Sequence, residues 1–127
     1  MVDPSLTVVA VGGDGDGYGI GMGHFIHSCR RDMDITYIVF NNENYALTTG
    51  QASPTTPVGA KTKTTPLGNL MAPLDPVVLA EHAGCSFARH AIDTKFGELK
   101  EIIKEAISHK GFSLVDVSQA CPSYKRW

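Results

Sequence analysis

The sequence of 127 residues predicts an α/β fold with a doubly wound parallel sheet of the open, ligand-binding type. Apolar, β-branched runs alternate along the chain with segments of helical periodicity, which is typical of strand–helix–strand units. The first run leads directly into a glycine-rich turn, as in the strand-to-helix turns that bind phosphate. A composition of 43% hydrophobic and 19% charged residues fits one packed domain.

The first half of the chain contains two predicted strands on either side of a helix. The strands are the apolar runs at residues 7–11 and 35–40, and residues 18–31 form a mixed, mostly buried helix. Because the first strand begins almost at residue 1, the sheet is expected to be incomplete. We therefore expect residues 1–127 to be one domain, truncated at both ends, from the central part of a longer subunit.

A long loop at residues 52–73 is rich in proline and threonine. Connections of this length usually have a function or pack on a partner, and a flexible surface excursion is the alternative. Lys61 and Lys63 in this loop are expected to be solvated. After the loop, Asp75 and Pro76 predict the start of a helix, and Gly84 predicts its end.

The last part of the chain contains strand, helix and strand patterns. Residues 86–90 and 112–117 are the strands. Between them, Asp93 or Thr94 is expected to cap the clearest helix of the chain. Its apolar residues form one stripe at helical period: Phe96, Leu99, Ile102, Ile103, Ala106 and Ile107.

The turn at residues 11–21, with the sequence VGGDGDGYGIG, is the first candidate binding site. Glycines allow close backbone approach, and free N–H groups at a helix start favour phosphate. Asp14 would repel phosphate unless a divalent cation lay between them, so the turn favours a metal–phosphate site. The turn does not match the G-x-G-x-x-G pattern, the Walker lysine motif or an EF-hand loop.

A second group of oxygen-bearing side chains follows the second predicted strand, in Asn41-Asn42-Glu43-Asn44-Tyr45. Neighbouring parallel strands would bring Asp14 and Asn42 to the same edge of the sheet, where open α/β folds bind ligands. Hard oxygen donors favour magnesium over zinc. Each residue alone also fits an ordinary turn position, but together with the glycines they favour a metal site.

Histidine and cysteine do not form a convincing zinc site. His24, His27 and Cys29 lie close in sequence, as do His82 and Cys85, yet tetrahedral zinc needs more ligands than either group supplies. The histidines are expected in the core or an interface, and Cys29 and Cys85 as buried apolar residues. Three cysteines make a disulfide framework unlikely and favour a reducing, cytoplasmic location.

Charge and hydropathy exclude two classes of partner. The net charge of −2 does not favour nucleic acid or an anionic membrane surface. No apolar run approaches the roughly 20 residues of a membrane span, and residues 1–5 lack the features of a secretory signal.

An ordered set of motifs covers nearly the whole chain and identifies a family. The G-D-G and N-N pair resembles the thiamine diphosphate motif, and the wider set resembles the β subunit of 2-oxoacid:ferredoxin oxidoreductases. The motifs are Gly13-Asp14-Gly15-Asp16, Gly23-His24-Phe25-Ile26-His27, Arg30-Arg31, Val39-Phe40-Asn41-Asn42, Gly50-Gln51 and Ser53-Pro54-Thr55-Thr56-Pro57.

The resemblance implies three cofactors: thiamine diphosphate, Mg²⁺ and a 4Fe-4S cluster. Mg²⁺ would bind the Asp14 carboxylate, the Asn42 side-chain oxygen and the Asn44 backbone carbonyl. The implied thiamine diphosphate contacts are Gly13, Gly15, Asp16, Ala46 and Leu47. Cys121 matches one cluster ligand, and the others would come from an N-terminal segment that this sequence lacks.

The implied reaction is the oxidative decarboxylation of a 2-oxoacid to acyl-CoA, with electrons passed through the cluster to ferredoxin. The implied partners are the α subunit, ferredoxin, coenzyme A and the 2-oxoacid. No catalytic acid or base is assigned here, because the glutamate that activates the cofactor is expected on the partner subunit. Alternatives are another thiamine diphosphate enzyme, such as a decarboxylase or an acetolactate-synthase-like protein, and a non-catalytic binding module.

Overall fold

The computed structural model describes residue 3 and residues 5–124. In chain order, its strands are β1 (Val9–Gly13), β2 (Thr36–Asn41), β3 (Asn44–Tyr45), β4 (Gln51–Ala52), β5 (Phe87–Ile92) and β6 (Ser113–Ser118). The helices are a π-helical turn (Asp16–Ile20), α1 (Met22–Arg31), α2 (Pro76–His82) and α3 (Phe96–Ser108).

Four parallel strands form the central sheet in the order β1-β2-β6-β5, which confirms the predicted fold class. The register places Gly13 beside Phe40, and Asn41 beside Ser118. The carboxyl ends of β1, β2 and β6 therefore lie along one edge of the sheet. The short strands β3 and β4 pair antiparallel just beyond that edge.

Helices cover both faces of the sheet, as expected for parallel strands. On one face, Phe25 of α1 and Ala80 of α2 pack with Leu114 of β6. On the other face, Ala106 of α3 packs with Val115 of the same strand. Successive residues of β6 thus enter opposite cores, and both Leu114 and Val115 are fully buried.

The first strand and helix differ from the sequence prediction. β1 is displaced by two residues and includes Gly12 and Gly13, because a glycine without a side chain fits against the Tyr37 hydroxyl at this point. The predicted single helix is instead a π-helical turn followed by α1. The N–H of Gly21 bonds to the carbonyl of Asp16 at 2.6 Å, which ends the wider turn before α1 begins.

The prediction for α2 is confirmed. The Asp75 carboxylate accepts hydrogen bonds at 3.1 Å from the N–H groups of Val77 and Val78, and Pro76 is the first helical residue. Gly84 adopts a φ of +100° just after the helix, a conformation that glycine reaches without strain.

The predicted cap of α3 is wrong, because the helix begins later. Lys95 precedes the first helical residue, and neither Asp93 nor Thr94 caps it. The stripe itself is only partly buried. Phe96 is 79% exposed and Ile107 is 41% exposed, whereas the residues between them pack on the core: Leu99, Ile102, Ile103 and Ala106.

The cysteines are buried, and none of them is in a disulfide. Cys29 and Cys85 both lie in the core beneath α1 and α2, as expected. Of the two expected settings for the histidines, the core is wrong, because His24, His27 and His82 are exposed, and an interface stays a prediction. Lys61 and Lys63 are exposed as predicted. Within the described residues, no helix is long and apolar enough to span a membrane.

Candidate functional site

The ends of two adjacent strands bring Asp14 and Asn42 together. Asp14 directly follows β1, and Asn42 directly follows β2. The backbone N–H of Asn42 donates a hydrogen bond to Asp14 Oδ1 at 3.2 Å. The two residues therefore meet at one edge of the sheet, as neighbouring parallel strands require.

Asp14 is a buried carboxylate, with only 1% of its surface exposed. Its Oδ2 accepts a hydrogen bond from the Thr55 hydroxyl at 2.8 Å. Burial raises the pKa of Asp14, and hydrogen bonds from Ser53, Thr55 and Asn42 oppose that rise. Among the ion pairs of the described residues, none involves Asp14, although a buried charge requires compensation. A bound cation would supply it.

Asn42 and Asn44 place further oxygen atoms next to Asp14. The side-chain oxygen of Asn42 accepts from the Asn44 N–H at 3.2 Å, and the Asn44 amide donates to the Asn42 carbonyl at 2.9 Å. Asn44 Oδ1 is buried, and no described residue forms a hydrogen bond with it. Such an orphaned acceptor is costly unless a ligand, water or cation satisfies it.

The oxygen atoms available as ligands at this site suit a hard cation. The part of the chain that the structure describes holds no cluster of three or more His, Cys, Asp or Glu side chains suited to a metal. A cation at Asp14 would depend on one carboxylate, on amide and carbonyl oxygens of Asn42 and Asn44, and on oxygen atoms of its ligand. Mg²⁺ is commonly held in this way, by few carboxylates plus substrate phosphates.

The turn after Asp14 is held compact by two side chains. Asp16 Oδ1 accepts from the Gly13 N–H at 2.7 Å, so that N–H is already engaged. The Tyr45 hydroxyl donates to the Gly15 carbonyl at 2.8 Å. A Cβ atom on Gly15 would lie 2.5 Å from the Tyr45 ring, which explains why only glycine fits there.

Thr55 connects the long loop to this site, a contact that sequence reasoning missed. Its hydroxyl lies 2.8 Å from Asp14 Oδ2 and 3.0 Å from Asn41 Oδ1. Ser53, Thr55 and Thr56 are all buried, so the loop start is part of the site and not a flexible excursion. The only sequence signal was the Ser53-Pro54-Thr55-Thr56-Pro57 block, which carried a resemblance without assigning a role.

Asp116, in the middle of β6, is a second buried carboxylate that the sequence did not reveal. It accepts from the Tyr18 hydroxyl at 2.8 Å and from Asn41 Nδ2 at 3.2 and 3.3 Å. His90 Nδ1 lies 3.1 Å from its other oxygen. Burial raises the pKa of Asp116, and these hydrogen bonds oppose the rise. The sequence contained one signal for this buried carboxylate, namely a single acidic residue within an otherwise apolar strand.

A cavity of about 390 Å³ joins the remaining predicted site residues. Its lining includes Asn42, Ala46 and Leu47 on one side and Cys121 on the other. Leu47 is 98% exposed, whereas Cys121 is buried. Two of the predicted cofactor contacts, Ala46 and Leu47, thus line the same cavity as the predicted cluster ligand.

Comparison with known proteins shows which family this chain matches. Residues 1–117 match the family model "Thiamine pyrophosphate enzyme, C-terminal TPP binding domain". The β subunit of 2-oxoacid:ferredoxin oxidoreductase from Saccharolobus solfataricus is 48% identical over 124 residues, covering 98% of this chain and 41% of that protein. The 2-oxoglutarate synthase subunit KorB from Archaeoglobus fulgidus is 46% identical over 126 residues, covering 99% and 47%.

Two solved structures also resemble this chain. The 2-oxoglutarate:ferredoxin oxidoreductase from Magnetococcus marinus, with 2-oxoglutarate, coenzyme A and succinyl-CoA bound, has a TM-score of 0.96 at 37% identity, over 98% of this chain and 43% of that one. A thiamine diphosphate-dependent 4-hydroxybenzoylformate decarboxylase from Rhodococcus jostii has a TM-score of 0.64 at 19% identity, over 95% and 21%, and shares the fold.

These comparisons confirm the resemblance recognised in the sequence motifs. The chain spans less than half the length of the relatives it matches. Its own described residues nevertheless include the strand ends, the glycine turn and both asparagines of the site. The chain belongs to the family of C-terminal thiamine pyrophosphate-binding domains of thiamine pyrophosphate enzymes.

Proposed function

We propose that this chain is the thiamine diphosphate-binding part of a 2-oxoacid:ferredoxin oxidoreductase β subunit. The enzyme would convert a 2-oxoacid and coenzyme A to acyl-CoA and carbon dioxide, and pass two electrons to ferredoxin. The names of the relatives support this reaction, and the ligands bound to the M. marinus enzyme support coenzyme A and a 2-oxoacid as reactants. Three cysteines without a disulfide agree with a reducing cytoplasm.

One observation carries the proposal: the buried Asp14 carboxylate, which has no ionic partner among the described residues, lies 3.2 Å from the backbone N–H of Asn42, directly after β2. Mg²⁺ would bind Asp14, the Asn42 side-chain oxygen and the Asn44 carbonyl. Diphosphate and ring contacts would come from residues of the turn and of the β3 region, namely Gly13, Gly15, Asp16, Ala46 and Leu47.

The residues of this chain bind and orient the cofactor. Thiamine diphosphate, when bound, supplies an electron sink for decarboxylation of the 2-oxoacid. Asp14 would offset phosphate charge through the cation, and the Tyr45 hydroxyl holds the Gly15 carbonyl so that the turn keeps its shape. The catalytic acid–base group belongs to the proposed α-subunit partner.

Cys121 is proposed as one ligand of a 4Fe-4S cluster. Such a cluster needs four thiolates, and this chain has three cysteines, of which two lie together in the core beneath α1. The other ligands must therefore come from residues outside this sequence. The cavity shared by Cys121 and Leu47 supports a cluster placed close to the cofactor, as electron transfer requires.

Titration calorimetry with thiamine diphosphate tests the cation site. We expect the full chain to bind only with Mg²⁺ present, and Asp14→Asn to weaken binding at least about tenfold, because loss of a metal-ligand interaction typically costs this much or more. The matched control is Asp34→Asn, an exposed aspartate paired with Lys110. Tight binding without metal, or equal binding by Asp14→Asn, would contradict the proposal.

Spectroscopy of the chain assembled with its partner subunit tests the cluster. Cys121→Ser should lose the sulfur-to-iron charge-transfer absorption and the reduction of ferredoxin, while still binding thiamine diphosphate. Ser123→Ala, on the same wall of the cavity, is the control. Retention of the full absorption by Cys121→Ser would remove this residue from the ligand set.

A further inference from the structure

A continuous hydrogen-bonded path links Asp14 to the interior of β6. The Thr55 hydroxyl lies 2.8 Å from Asp14 Oδ2 and 3.0 Å from Asn41 Oδ1. Asn41 Nδ2 lies 3.2 and 3.3 Å from the two oxygens of Asp116. Thr55, Asn41 and Asp116 are all buried.

Asp116 determines which way the Asn41 amide faces. A carboxylate accepts only, so it requires the amide nitrogen of Asn41 on its side. The amide oxygen must then face Thr55 and the backbone N–H of Glu43, which donates to it at 3.2 Å. Asp116 is itself held by the Tyr18 hydroxyl at 2.8 Å.

Thr55 transmits this orientation to Asp14. Its hydroxyl carries a single hydrogen, which Asp14 and Asn41 share, and it is held between them at two fixed distances. Asp14 thus accepts one hydrogen bond on Oδ2 from Thr55 and one on Oδ1 from the Asn42 N–H. Together with the hydrogen bond from Ser53, these contacts orient the plane of the carboxylate.

We propose that Asp116 is a positioning residue for the cation site at Asp14, acting through Asn41 and Thr55. The inference rests on the proposed function of Asp14 as a cation ligand. Hydrogen-bond partners behind a metal ligand orient it, and their loss typically costs about 10- to 100-fold in metal affinity. Two residues, Thr55 and Asn41, separate Asp116 from the ligand Asp14, so its effect should be smaller than that of Thr55.

The negative charge of Asp116 would also attract a cation through space, without the hydrogen bonds of Asn41 and Thr55. A double-mutant cycle separates this electrostatic effect from the effect of the hydrogen-bonded path. The full chain is titrated with Mn²⁺ in the presence of thiamine diphosphate, and bound Mn²⁺ is followed by electron paramagnetic resonance. The variants are Thr55→Val, Asp116→Asn and their combination. Thr55→Ser is the conservative rescue, because it keeps the hydroxyl.

We expect Thr55→Val to weaken Mn²⁺ binding about tenfold, Thr55→Ser to restore it, and Asp116→Asn to weaken it about fivefold by the same mechanism. In the Thr55→Val background, Asp116→Asn should have almost no further effect. Ser113→Ala is the control for stability alone, because it removes a buried 3.0 Å hydrogen bond at the other end of β6. It should lower the melting temperature and leave Mn²⁺ affinity unchanged.

An equal effect of Asp116→Asn with and without the Thr55 hydroxyl would overturn the inference, as would an Mn²⁺ affinity that Asp116→Asn leaves unchanged. If Asp116→Asn fails to fold, Asn41→Ser interrupts the same path, and the same cycle applies with the same expected outcome. Absence of Mn²⁺ binding by the unmodified chain would instead refute the proposed function itself.

Discussion

The hydroxyl of Tyr18 donates a hydrogen bond to Asp116 Oδ1 at 2.8 Å, although 98 residues separate the two along the chain. Each is 2% exposed. The bond joins the π-helical turn after β1 to the middle of β6. Burial and the neighbouring carboxylate raise the pKa of Tyr18, so this residue remains a protonated donor. The glycine turn is therefore anchored to the sheet by a side chain and not only by its backbone.

Tyr18→Phe tests the contribution of this anchor to stability. Removing the hydroxyl leaves a buried carboxylate with one partner fewer, and we expect a loss of about 1–3 kcal/mol in the free energy of unfolding. Urea denaturation measures the loss. Tyr124→Phe, at a ring that is 38% exposed, is the control and should change stability little. Equal stability of Tyr18→Phe and the unmodified chain would show that the bond contributes nothing.

The pH dependence of stability should report the burial of Asp116. Burial raises its pKa above the ordinary value of 3.8. A carboxyl group whose pKa rises on folding contributes its full stability below the unfolded pKa, and loses that contribution as the pH rises through the folded pKa.

Without metal, the free energy of unfolding of the unmodified chain relative to Asp116→Asn should therefore fall as the pH rises above the ordinary carboxyl pKa of about 4. Denaturation series at several pH values measure this difference. A difference that stays constant across the range would mean that folding does not change the pKa of Asp116, despite its burial.

Gly15→Ala tests the space requirement of the turn. The added Cβ would lie 2.5 Å from the Tyr45 ring, although the backbone at Gly15 has an ordinary helical φ of −66°. We expect lower stability and weaker thiamine diphosphate binding, because Tyr45 must move away from the Gly15 carbonyl. In α1, a Cβ atom added to Gly23 would meet no neighbouring atom within 4 Å, so Gly23→Ala should instead stabilise by about 0.5–1 kcal/mol.

Calorimetry measures thiamine diphosphate binding by these two glycine variants, and thermal melts measure their stability. The comparison is matched, because both variants add the same methyl group. The expected result is opposite signs for the change in stability. Unchanged cofactor binding by Gly15→Ala would mean that the turn can open without affecting the site.

Asn69→Ala tests how the long loop is held. The buried side chain of Asn69 donates to the carbonyls of Thr56 and Met71 at 2.8 and 2.9 Å, and accepts from the Met71 N–H at 3.2 Å. Losing these contacts leaves buried backbone groups unpaired, at a cost of about 1–3 kcal/mol each. We expect faster proteolysis and hydrogen exchange within residues 53–75. Lys61→Ala, at an exposed position of the same loop, should leave both rates unchanged.

Local chemistry made much of the fold predictable. Asp75 and Pro76 begin α2 as expected, because the cap and the proline act within one turn. The cap of α3 was mispredicted, because the helix begins after Lys95 and no side chain forms a capping hydrogen bond there. The prediction of β1 was displaced by two residues because glycine has low strand propensity, and the sequence could not show that Gly12 packs against Tyr37.

The sequence by itself determined that Asp14 and Asn42 meet, because two strands joined by one helix lie parallel and end at the same edge. It could not determine that Asn41 bonds to Asp116, because this requires β6 to lie beside β2, and strand order follows from the packing of both faces of the sheet. The position of Thr55 was likewise decided only by the tertiary structure. A loop without periodicity is placed by the buried hydrogen bonds it forms, and those partners come from distant parts of the chain.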